Sequence, residues 1–427
     1  MAAKPIIEES SGGPSGAMIA GIAGIAESAA EAAELELICT ERPLRRLAVY
    51  PASAGFDLVE ELDHLWARTI EPNVFFNPRF LAPAMPRLED REVRLAVIRD
   101  GDEHRSRLRL LVPFSVEKPA IPLAVSVMRT WSNPFGPLGT PLLDRDDPEG
   151  VIADFFEMLA RPHLKLPKVL VLPDMRLDGA VARMLSVAAD TRGLPLLVTA
   201  RFERPFLESQ LEGGDYLKGS LGNRHYREFR RLGRRLAEQG VVEHRIARSQ
   251  EDVRHALEQF LTLEASGWKG RRRTAMVIDR YRAAFAREAV HRLAERDLCR
   301  IHSLTLDGRA IASLVVFIEA GIAYTWKIAY DETLSAFSPG VQLMMAVTAQ
   351  HLEDPNIMAT DSCAIPDHPM LGRMWSEKKT MGTIIVGLTP DADRATRQAA
   401  SQLHLHRQTR KLAVKLRDRM RGLLKRG

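Results

Sequence analysis

The stretch 299–343 constrains the fold of this chain more than any other segment. Asp307-Gly308 separates two apolar segments. It is a favoured two-residue hairpin turn, because both central residues of such a turn need a positive φ. The pattern therefore predicts antiparallel strands at 299–306 and 309–319, with a third strand at 322–329.

Directly after this three-stranded meander the sequence predicts a helix. Ser338-Pro339-Gly340 supplies a capping serine and a proline for the first helical turn. We expect the helix to cover 339–352. A strand that leads to a helix N-terminus can hold an anion such as a phosphate, because the first backbone N–H groups have no partner inside the helix.

The order of predicted elements occurs twice along the chain. In both halves a helix precedes a meander of strands, and a loop, a helix, a strand, a helix and a final strand follow. Because the two halves share no convincing residue identity, we interpret this as a repeat of architecture. The predicted parts are a disordered leader (1–43), a first unit (44–205), a second unit (206–390) and a basic amphipathic C-terminal helix (391–427). In the second unit we expect helices at 281–296 and 368–379, and strands at 357–362 and 383–388.

Composition narrows the class of protein. Three widely spaced cysteines in 427 residues argue against a disulfide framework and favour a reducing compartment. No segment has the roughly 18 consecutive apolar residues of a membrane span. Residues 391–427 carry a net charge of +8, from eight Arg and three Lys against three Asp, so the rest of the chain is at −3. We therefore do not expect the globular body to bind nucleic acid.

Two basic helical segments remain open to more than one interpretation. The segment 217–239 joins the two units and carries Arg224, Arg227, Arg231, Arg234 and Arg235. It is either a docked amphipathic helix with a solvated face or a basic wall for a phosphorylated or acidic ligand. The tail helix has apolar residues at helical spacing between Arg and Lys. It could pack on the body, on a partner protein or on an anionic membrane.

Several segments of the second unit resemble one known family. They are LGNRHYREFRRLGRRLAEQG (221–240), FLTLEASGWKGR (260–271), LDGRAIASLVVF (306–317), YTWKIAYDE (324–332) and SPGVQL (338–343). These segments resemble GNAT N-acyltransferases, and two such units in tandem resemble FemAB-type proteins. More narrowly, the chain is similar to the CelD/BcsL-like acetyltransferases, which are named for cellulose biosynthesis. The resemblance implies an α/β (α+β) fold of two tandem GNAT-like units, each a mixed, mostly antiparallel sheet flanked by helices.

The resemblance also implies a donor and a set of donor-binding residues. The donor would be acetyl-CoA or another acyl-CoA, used as a co-substrate without a metal. The helix start would bind its phosphates, and backbone N–H groups of the third strand would stabilise the negative charge on the reacting carbonyl. The implied residues are Trp326, Lys327, Ile328, Ser338, Gly340, Val341 and Gln342.

The acceptor must also lose a proton when it attacks the donor. Asp361 and His368 are the leading candidate bases, Glu264 is a third candidate, and Tyr330 could protonate the leaving thiolate. We expect Lys327 to face a cleft, since a charged residue in mid-strand needs water or a partner. Glu264, Trp268, Trp375 and Arg227 would contact the acceptor.

Asp361, Cys363, Asp367 and His368 also suggest a zinc site or a Cys/His nucleophile. The sequence disfavours both, because two further soft ligands are lacking nearby and a cysteine near a strand end is usually a small buried residue.

The sequence thus predicts a cytoplasmic, or membrane-peripheral, acyltransferase. It would move an acyl group to an amine or hydroxyl of a sugar or a cell-envelope or polysaccharide precursor. One alternative is a non-catalytic GNAT-fold binding or scaffold protein of polysaccharide export, favoured by the single glycine within 335–342. Another is a tRNA-dependent aminoacyl transferase, for which the segment 224–235 and the tail would contact tRNA.

Overall fold

The computed structural model describes residues 4–10, 45–89, 91–101, 106–118, 124–405 and 408–409. Within the leader that we expected to be disordered, residues 7–10 instead form a strand against residues 46–49. Most of the leader and most of the basic tail lie outside the described residues. Of the predicted tail helix, the described part is helical over 393–405.

The N half comprises residues 45–207 together with the strand at 7–10. Its strands are β1 (Ile7–Ser10), β2 (Arg45–Pro51), β3 (Val93–Asp100), β4 (Arg107–Glu117), β5 (Val127–Thr130), β6 (Leu142–Leu143), β7 (Val169–Arg176) and β8 (Leu196–Leu207). Its helices are α1 (Val59–Trp66), α2 (Pro78–Leu88), α3 (Pro148–Leu159) and α4 (Ala180–Thr191).

The C half comprises residues 213–387. Its strands are β9 (Val242–Ala247), β10 (Cys299–Leu306), β11 (Arg309–Glu319), β12 (Ile322–Tyr330), β13 (Ala359–Asp361) and β14 (Glu377–Gly387). Its helices are α5 (Gly213–Ala237), α6 (Gln250–Ser266), α7 (Trp268–Arg271), α8 (Arg280–Ala294), α9 (Pro339–Glu353) and α10 (Leu371–Met374). The final helix, α11, covers 393–405.

The two halves share a single sheet and the same strand arrangement. The order is β1-β2-β3-β4-β5-β7-β14-β8-β13-β12-β11-β10-β9, with β6 beside β4. In the N half, β4 pairs antiparallel with β5 and β5 pairs parallel with β7. In the C half, β11 pairs antiparallel with β12 and β12 pairs parallel with β13. The predicted repeat of a mixed, mostly antiparallel sheet is therefore present in the fold.

The last strand of each half is exchanged. Strand β14 of the C half pairs with β7 of the N half, whereas β8 of the N half pairs with β13 of the C half. The exchanged strands also pair with each other. Neither predicted unit therefore completes its own sheet, although their sequences meet at residues 205 and 206.

A core shared by both halves covers one face of the sheet. It is built from α1 and α2 of the N half and α6 and α8 of the C half. Phe80 on α2 lies at its centre, with edge contacts to Phe285 and Phe317 of the C half. The opposite face is covered separately, by α3 and α4 over the N half and by α5, α9 and α10 over the C half. Among the described helices, none has both the length and the apolar content to cross a membrane.

Local signals in 299–343 predicted this region closely. Asp307 and Gly308 have φ of 50° and 79°, as the hairpin turn requires. Strands β10 to β12 and helix α9 follow the expected bounds within a residue. The predicted helix at 368–379 was wrong, because only residues 371–374 are helical and β14 begins at 377. The backbone partners of β14 are strands of the N half. The periodicity of the local sequence does not reveal a pairing with such distant strands.

Candidate active site

Strand β12 departs from regular pairing where the family resemblance placed the reacting carbonyl. Val315 pairs with Lys327 and Val316 with Thr325, which leaves Trp326 as an extra residue on β12. Such a bulge interrupts the ladder and redirects side chains. On the other edge, the parallel pairing with β13 ends at Tyr324. Beyond this point the two strands are no longer paired through their backbones, and the Thr325 hydroxyl donates to the Ser362 carbonyl at 2.8 Å.

The N-terminus of α9 begins beside the end of β12. Ser338 is in the left-handed conformation, with φ of 53° and ψ of 54°, and its side chain does not cap the helix. The first turn of α9 contains no acidic residue. A Cβ at Gly340 would lie 3.1 Å from Cδ1 of Tyr330, so glycine allows this close approach. The positive end of the helix is left for an external anion.

Helix α5 brings basic groups to this helix start. The Arg235 guanidinium lies 5.7 Å from the ring centroid of Phe337, the residue before Ser338. The Gln342 side chain donates a 2.8 Å hydrogen bond to the carbonyl of Phe229 and fixes α9 against α5. Gln342 thus has a structural contact, whereas Arg235 adds positive charge near the predicted phosphate site.

Lys327 lies at the bulge and faces the N half. Its Nζ donates a 2.8 Å hydrogen bond to the carbonyl of Pro134 and lies 4.6 Å from the ring centroid of Phe135. The Trp326 indole donates to the carbonyl of Phe135 at 2.6 Å. Burial, and after it the nearby Lys269 ammonium, lower the pKa of Lys327 to about 8. Lys327 thus lies at the junction of the two halves, with a backbone carbonyl and an aromatic ring of the N half as its partners.

Glu264 and Trp268 lie on the helical segment that crosses the end of β12. Glu264 is buried; its carboxylate accepts hydrogen bonds from Lys269 Nζ at 2.7 Å and from the Met276 N–H at 2.8 Å. Trp268 is 42% exposed. Lys269 Nζ also lies 3.4 Å from the Ile328 carbonyl. This segment lies beside β12, and the Arg272 guanidinium is 5.1 Å from the centroid of the exposed Trp268 ring.

The predicted bases have different environments. Asp361 is buried; it pairs with Arg204 at 3.5 Å and accepts from the Cys363 N–H at 2.7 Å. His368 is half-buried, its Nδ1 accepts from the Leu371 N–H at 3.3 Å, and burial lowers its pKa. Asp361 is therefore held as part of a structural ion pair, and His368 as part of a turn.

Two of the remaining predicted site residues are accessible at the surface. Tyr330 is 37% exposed at the end of β12, and Arg227 is exposed on α5. The Val341 N–H donates to the Ser338 carbonyl at 2.9 Å within the helix start.

Trp375 requires a correction. It is fully buried and its indole donates to Thr348 Oγ1 at 3.0 Å, so it belongs to the core under α9 and cannot line an acceptor pocket.

From the sequence we expect the first unit to shape the acceptor cleft, but the sequence did not indicate which residues of the N half reach the site. Residues 132–140, which we name the Phe135 loop, place three carbonyl groups against side chains on the C half and on the exchanged strand β8. Besides Lys327 and Trp326, Arg204 donates to the Pro137 carbonyl at 2.8 Å. The Pro/Gly-rich composition of SNPFGPLGT marked a loop, but no local pattern indicated its partners.

The alternative of a reactive thiol or a metal at 361–368 finds little support. Burial raises the pKa of the Cys363 thiol well above its usual value, which keeps the thiol protonated. Within the part of the chain that the structure describes, no group of three or more His, Cys, Asp or Glu side chains could hold a metal ion.

Comparison with known proteins agrees with this arrangement. Residues 223–361 match the family described as an acetyltransferase (GNAT) domain. The protein carries a GNAT acyltransferase domain. The match covers strands β9 to β13 and the start of α9, and therefore includes the bulge and the helix N-terminus. No match to the sequence is found among curated proteins.

Solved structures are similar in fold. FemX is 10% identical with a TM-score of 0.50, and the match covers 78% of this chain and 96% of FemX. L-PGS from Bacillus licheniformis is 11% identical, with a TM-score of 0.44 and coverage of 80% and 96%. A tandem GNAT protein from the clavulanic acid biosynthesis pathway is 12% identical, with a TM-score of 0.39 and coverage of 81% and 99%. The match to FemX supports a similar fold, and the strand pairing of this chain repeats in its two halves as expected for two GNAT-like units.

Proposed function

We propose that the C half transfers an acyl group from acyl-CoA to an amine or hydroxyl of a sugar or a cell-envelope or polysaccharide precursor. The observation that carries this proposal is the uncapped start of α9, which lies beside Tyr330 at the end of β12, the strand that contains the bulge. The more specific CelD/BcsL-like assignment rests on the segments quoted above. The N half would shape the acceptor side of the site.

Charge supports a phosphate-bearing donor. An anion at a helix N-terminus gains typically about 0.3–1 kcal/mol, and up to about 2 kcal/mol when partly buried. Arg235 adds a guanidinium, and guanidinium groups bind phosphate oxygens in a planar, bidentate way. Glycine at position 340 allows the Tyr330 ring to pack directly against the helix start.

The reaction would proceed by direct attack on the donor carbonyl. With the phosphates at α9, the acyl group would extend toward the bulge, beyond the point where the backbone pairing of β12 and β13 ends. The backbone N–H groups of residues 326–328 are the proposed donors for the carbonyl oxygen, on which negative charge develops. Trp268 and the Phe135 loop would border the acceptor.

Calorimetric titration tests the donor. We expect the purified full chain to bind acetyl-CoA, a longer acyl-CoA and CoA, and to release thiol when an amino sugar is added. Absence of CoA binding at millimolar concentration would refute the proposal. Binding without thiol release from any acceptor would favour the non-catalytic alternative.

A matched pair of glycine variants locates the donor site. Gly340→Glu is expected to weaken donor binding about 100-fold, because it places a carboxylate where the phosphates would bind. Gly214→Glu serves as the control. Like Gly340, Gly214 is the second residue of a helix, and the space around Gly214 is open. Unchanged donor affinity in Gly340→Glu would show that the phosphates bind elsewhere.

The exposed face of α5 favours a second candidate, transfer from an aminoacyl-tRNA. Within residues 224–235 the chain has six arginines and a single glutamate, and all six arginines are exposed. Two of them have a side-chain partner: Arg231 pairs with Glu228, and Arg235 lies over the Phe337 ring. Arginine suits phosphate backbones. Under this alternative, tRNA would bind tightly, the affinity would fall steeply with salt, and acyl-CoA would not compete.

A further inference from the structure

The Phe135 loop is rigid where it meets the C half. The Asn133 side chain accepts hydrogen bonds from the N–H groups of Phe135 at 2.8 Å and Gly136 at 3.1 Å. Its amide donates to Glu89 at 2.9 Å. Gly136 packs so closely that a Cβ there would lie 2.4 Å from the Trp131 ring. The loop therefore presents its carbonyl groups in a fixed arrangement.

This rigid loop holds two consecutive side chains of the C half. Lys327 and Trp326 each donate to a carbonyl of the loop, at 2.8 and 2.6 Å, although the partners are more than 190 residues apart in sequence. The Phe135 ring lies between Lys327 Nζ at 4.6 Å and the Arg282 guanidinium at 5.7 Å. The N half thereby fixes the position of the amine beside the bulge.

The charged neighbours of Lys327 come from every element around it. Lys269 on α7 and Arg282 on α8 disfavour its ammonium form, whereas Glu264 on α6 favours it; the Cys363 thiol after β13 is protonated and carries no charge. The Phe135 ring and the Pro134 carbonyl also favour the ammonium. Burial outweighs these attractions and lowers the pKa to about 8. A large fraction of the amine is thus neutral in mildly alkaline solution and able to accept a proton.

Other titratable groups near the bulge are engaged elsewhere. Both oxygens of Glu264 accept hydrogen bonds from Lys269 and Met276. Asp361 is paired with Arg204, and His368 Nδ1 accepts from a backbone N–H. Lys327 is the group beside the bulge that both has a lowered pKa and lies between the two halves.

We propose that Lys327, positioned by the Phe135 loop, accepts the proton of the acceptor during acyl transfer. This inference rests on the proposed function. The acceptor lone pair attacks the thioester carbon, the new C–N or C–O bond forms, and the C–S bond breaks. The acceptor proton passes to the neutral Lys327 amine, and the resulting ammonium protonates the leaving thiolate. Pro134 and Phe135 are positioning residues.

Substitution of Lys327 tests the proton transfer. Lys327→Arg keeps the charge but cannot lose its proton at any accessible pH. It is expected to bind donor within threefold of wild type and to lower the rate of thiol release at least 100-fold. Lys327→Met should show the same loss. As the control, Lys379→Arg changes a lysine that also lies over an aromatic ring, 5.0 Å from Phe206, and should keep the wild-type rate. A Lys327→Arg variant with more than a tenth of the wild-type rate would overturn the proposal.

A second measurement does not depend on knowing the acceptor. Competitive labelling of lysines with acetic anhydride across pH, read by mass spectrometry, gives the midpoint of Lys327 reactivity in the full chain. We expect a midpoint near pH 8 in the wild type. Phe135→Ser should move it at least one unit upward, because water then reaches the amine. A wild-type midpoint at the ordinary lysine value would refute the inference.

The two sets of experiments separate two kinds of failure. A chain that binds no CoA but shows the low Lys327 midpoint would refute the proposed donor and leave the positioning by the Phe135 loop intact. A chain that transfers acyl groups with an ordinary Lys327 midpoint, or through Lys327→Arg, would keep the proposed function and refute the role of Lys327. In a Phe135→Ser variant that folds, the pH profile of thiol release should shift with the labelling midpoint.

Discussion

The N half and the C half use the same chain path around different chemistry. Strands β4 and β11 each have 11 residues, begin with arginine and end with glutamate. Helices α3 and α9 both follow a left-handed residue and begin with proline; Asp147 has φ of 51° and Ser338 has φ of 53°. The backbone at the two helix starts is thus nearly the same. The side chains decide which helix start can accept a ligand.

In the N half a carboxylate of the protein caps the helix start that corresponds to the proposed donor site of the C half. The Asp147 carboxylate accepts from the Gly150 N–H at 3.2 Å, and Glu149 stands where the C half has Gly340. The buried Arg45 bridges Asp147, Asp100 and Asp154 at 2.7–3.0 Å. In addition, β5 has four residues and pairs with β4 without a bulge. The two halves therefore share a fold without sharing a site. In the N half, an internal carboxylate takes the place at the helix start that we propose for a ligand in the C half.

The largest expected effect concerns the core that joins the halves. Phe80→Ala should lower the free energy of unfolding by about 3–5 kcal/mol, because it leaves a cavity among aromatic rings of both halves. Denaturant titration should show one transition, shifted as a whole. Phe56→Ala, at a residue 36% exposed, is the control with a small effect. Two separate transitions, only one of them shifted, would show that the halves unfold independently.

Making the C half resemble the N half should destroy donor binding. In Ser338→Asp the backbone already has the conformation that Asp147 adopts, so the new carboxylate should cap α9 and repel phosphates. We expect donor affinity to fall about 30-fold, equivalent to about 2 kcal/mol, with no loss in melting temperature. Asp147→Ser should leave donor affinity unchanged. Equal losses in both variants would contradict the assignment of the active half.

The glutamates that end β4 and β11 should differ in their response to pH. Burial raises the pKa of Glu319 to about 8, although the Trp66 indole and the Asn73 backbone lower it in part. The folded state therefore holds an extra proton between pH 4.5 and 8. Unfolding free energy should fall across this range by up to about 1.4 kcal/mol per pH unit.

Glu319→Gln should remove this pH slope, because an amide has no proton to lose. Glu117→Gln is the matched control, since Glu117 is partly exposed and paired with Arg91 and Arg129. Chemical denaturation at pH 5, 6, 7 and 8 measures the slope. A wild type with constant stability over that range would show that Glu319 is hydrated or paired.

The smallest expected effect is the stability cost of Asp147→Ser. Asp147 is 59% exposed, so its ion pair with Arg45 contributes little, and serine retains the ability to cap α3. The loss should stay below about 1 kcal/mol by denaturant titration. A loss of several kcal/mol would mean that the carboxylate is needed to neutralise the buried Arg45, and that the N half cannot return to an open anion site.

The features that were predicted correctly are those that depend on residues close together in sequence. The Asp307-Gly308 turn, the meander and the helix start at Ser338 depend on neighbours in sequence, and all three were found. The predicted helix at 368–379 failed because the pairing of β14 with β7 and β8 overrides local preference. Trp375 was misplaced for a related reason, since its partner Thr348 lies on α9. The surroundings of Lys327 depend on a loop 193 residues away. No local periodicity encodes such a contact.

The exchange of β8 and β14 has a consequence for synthesis of the protein. A ribosome releases the N half long before residues 377–387, which form the strand between β7 and β8. Until then β7 has an unpaired edge, and such edges invite wrong pairing. Folding of the first-made half must therefore wait for nearly the last-made segment. A gene cut between residues 205 and 206 would yield two fragments, each lacking the strand that the other half contributes to its sheet.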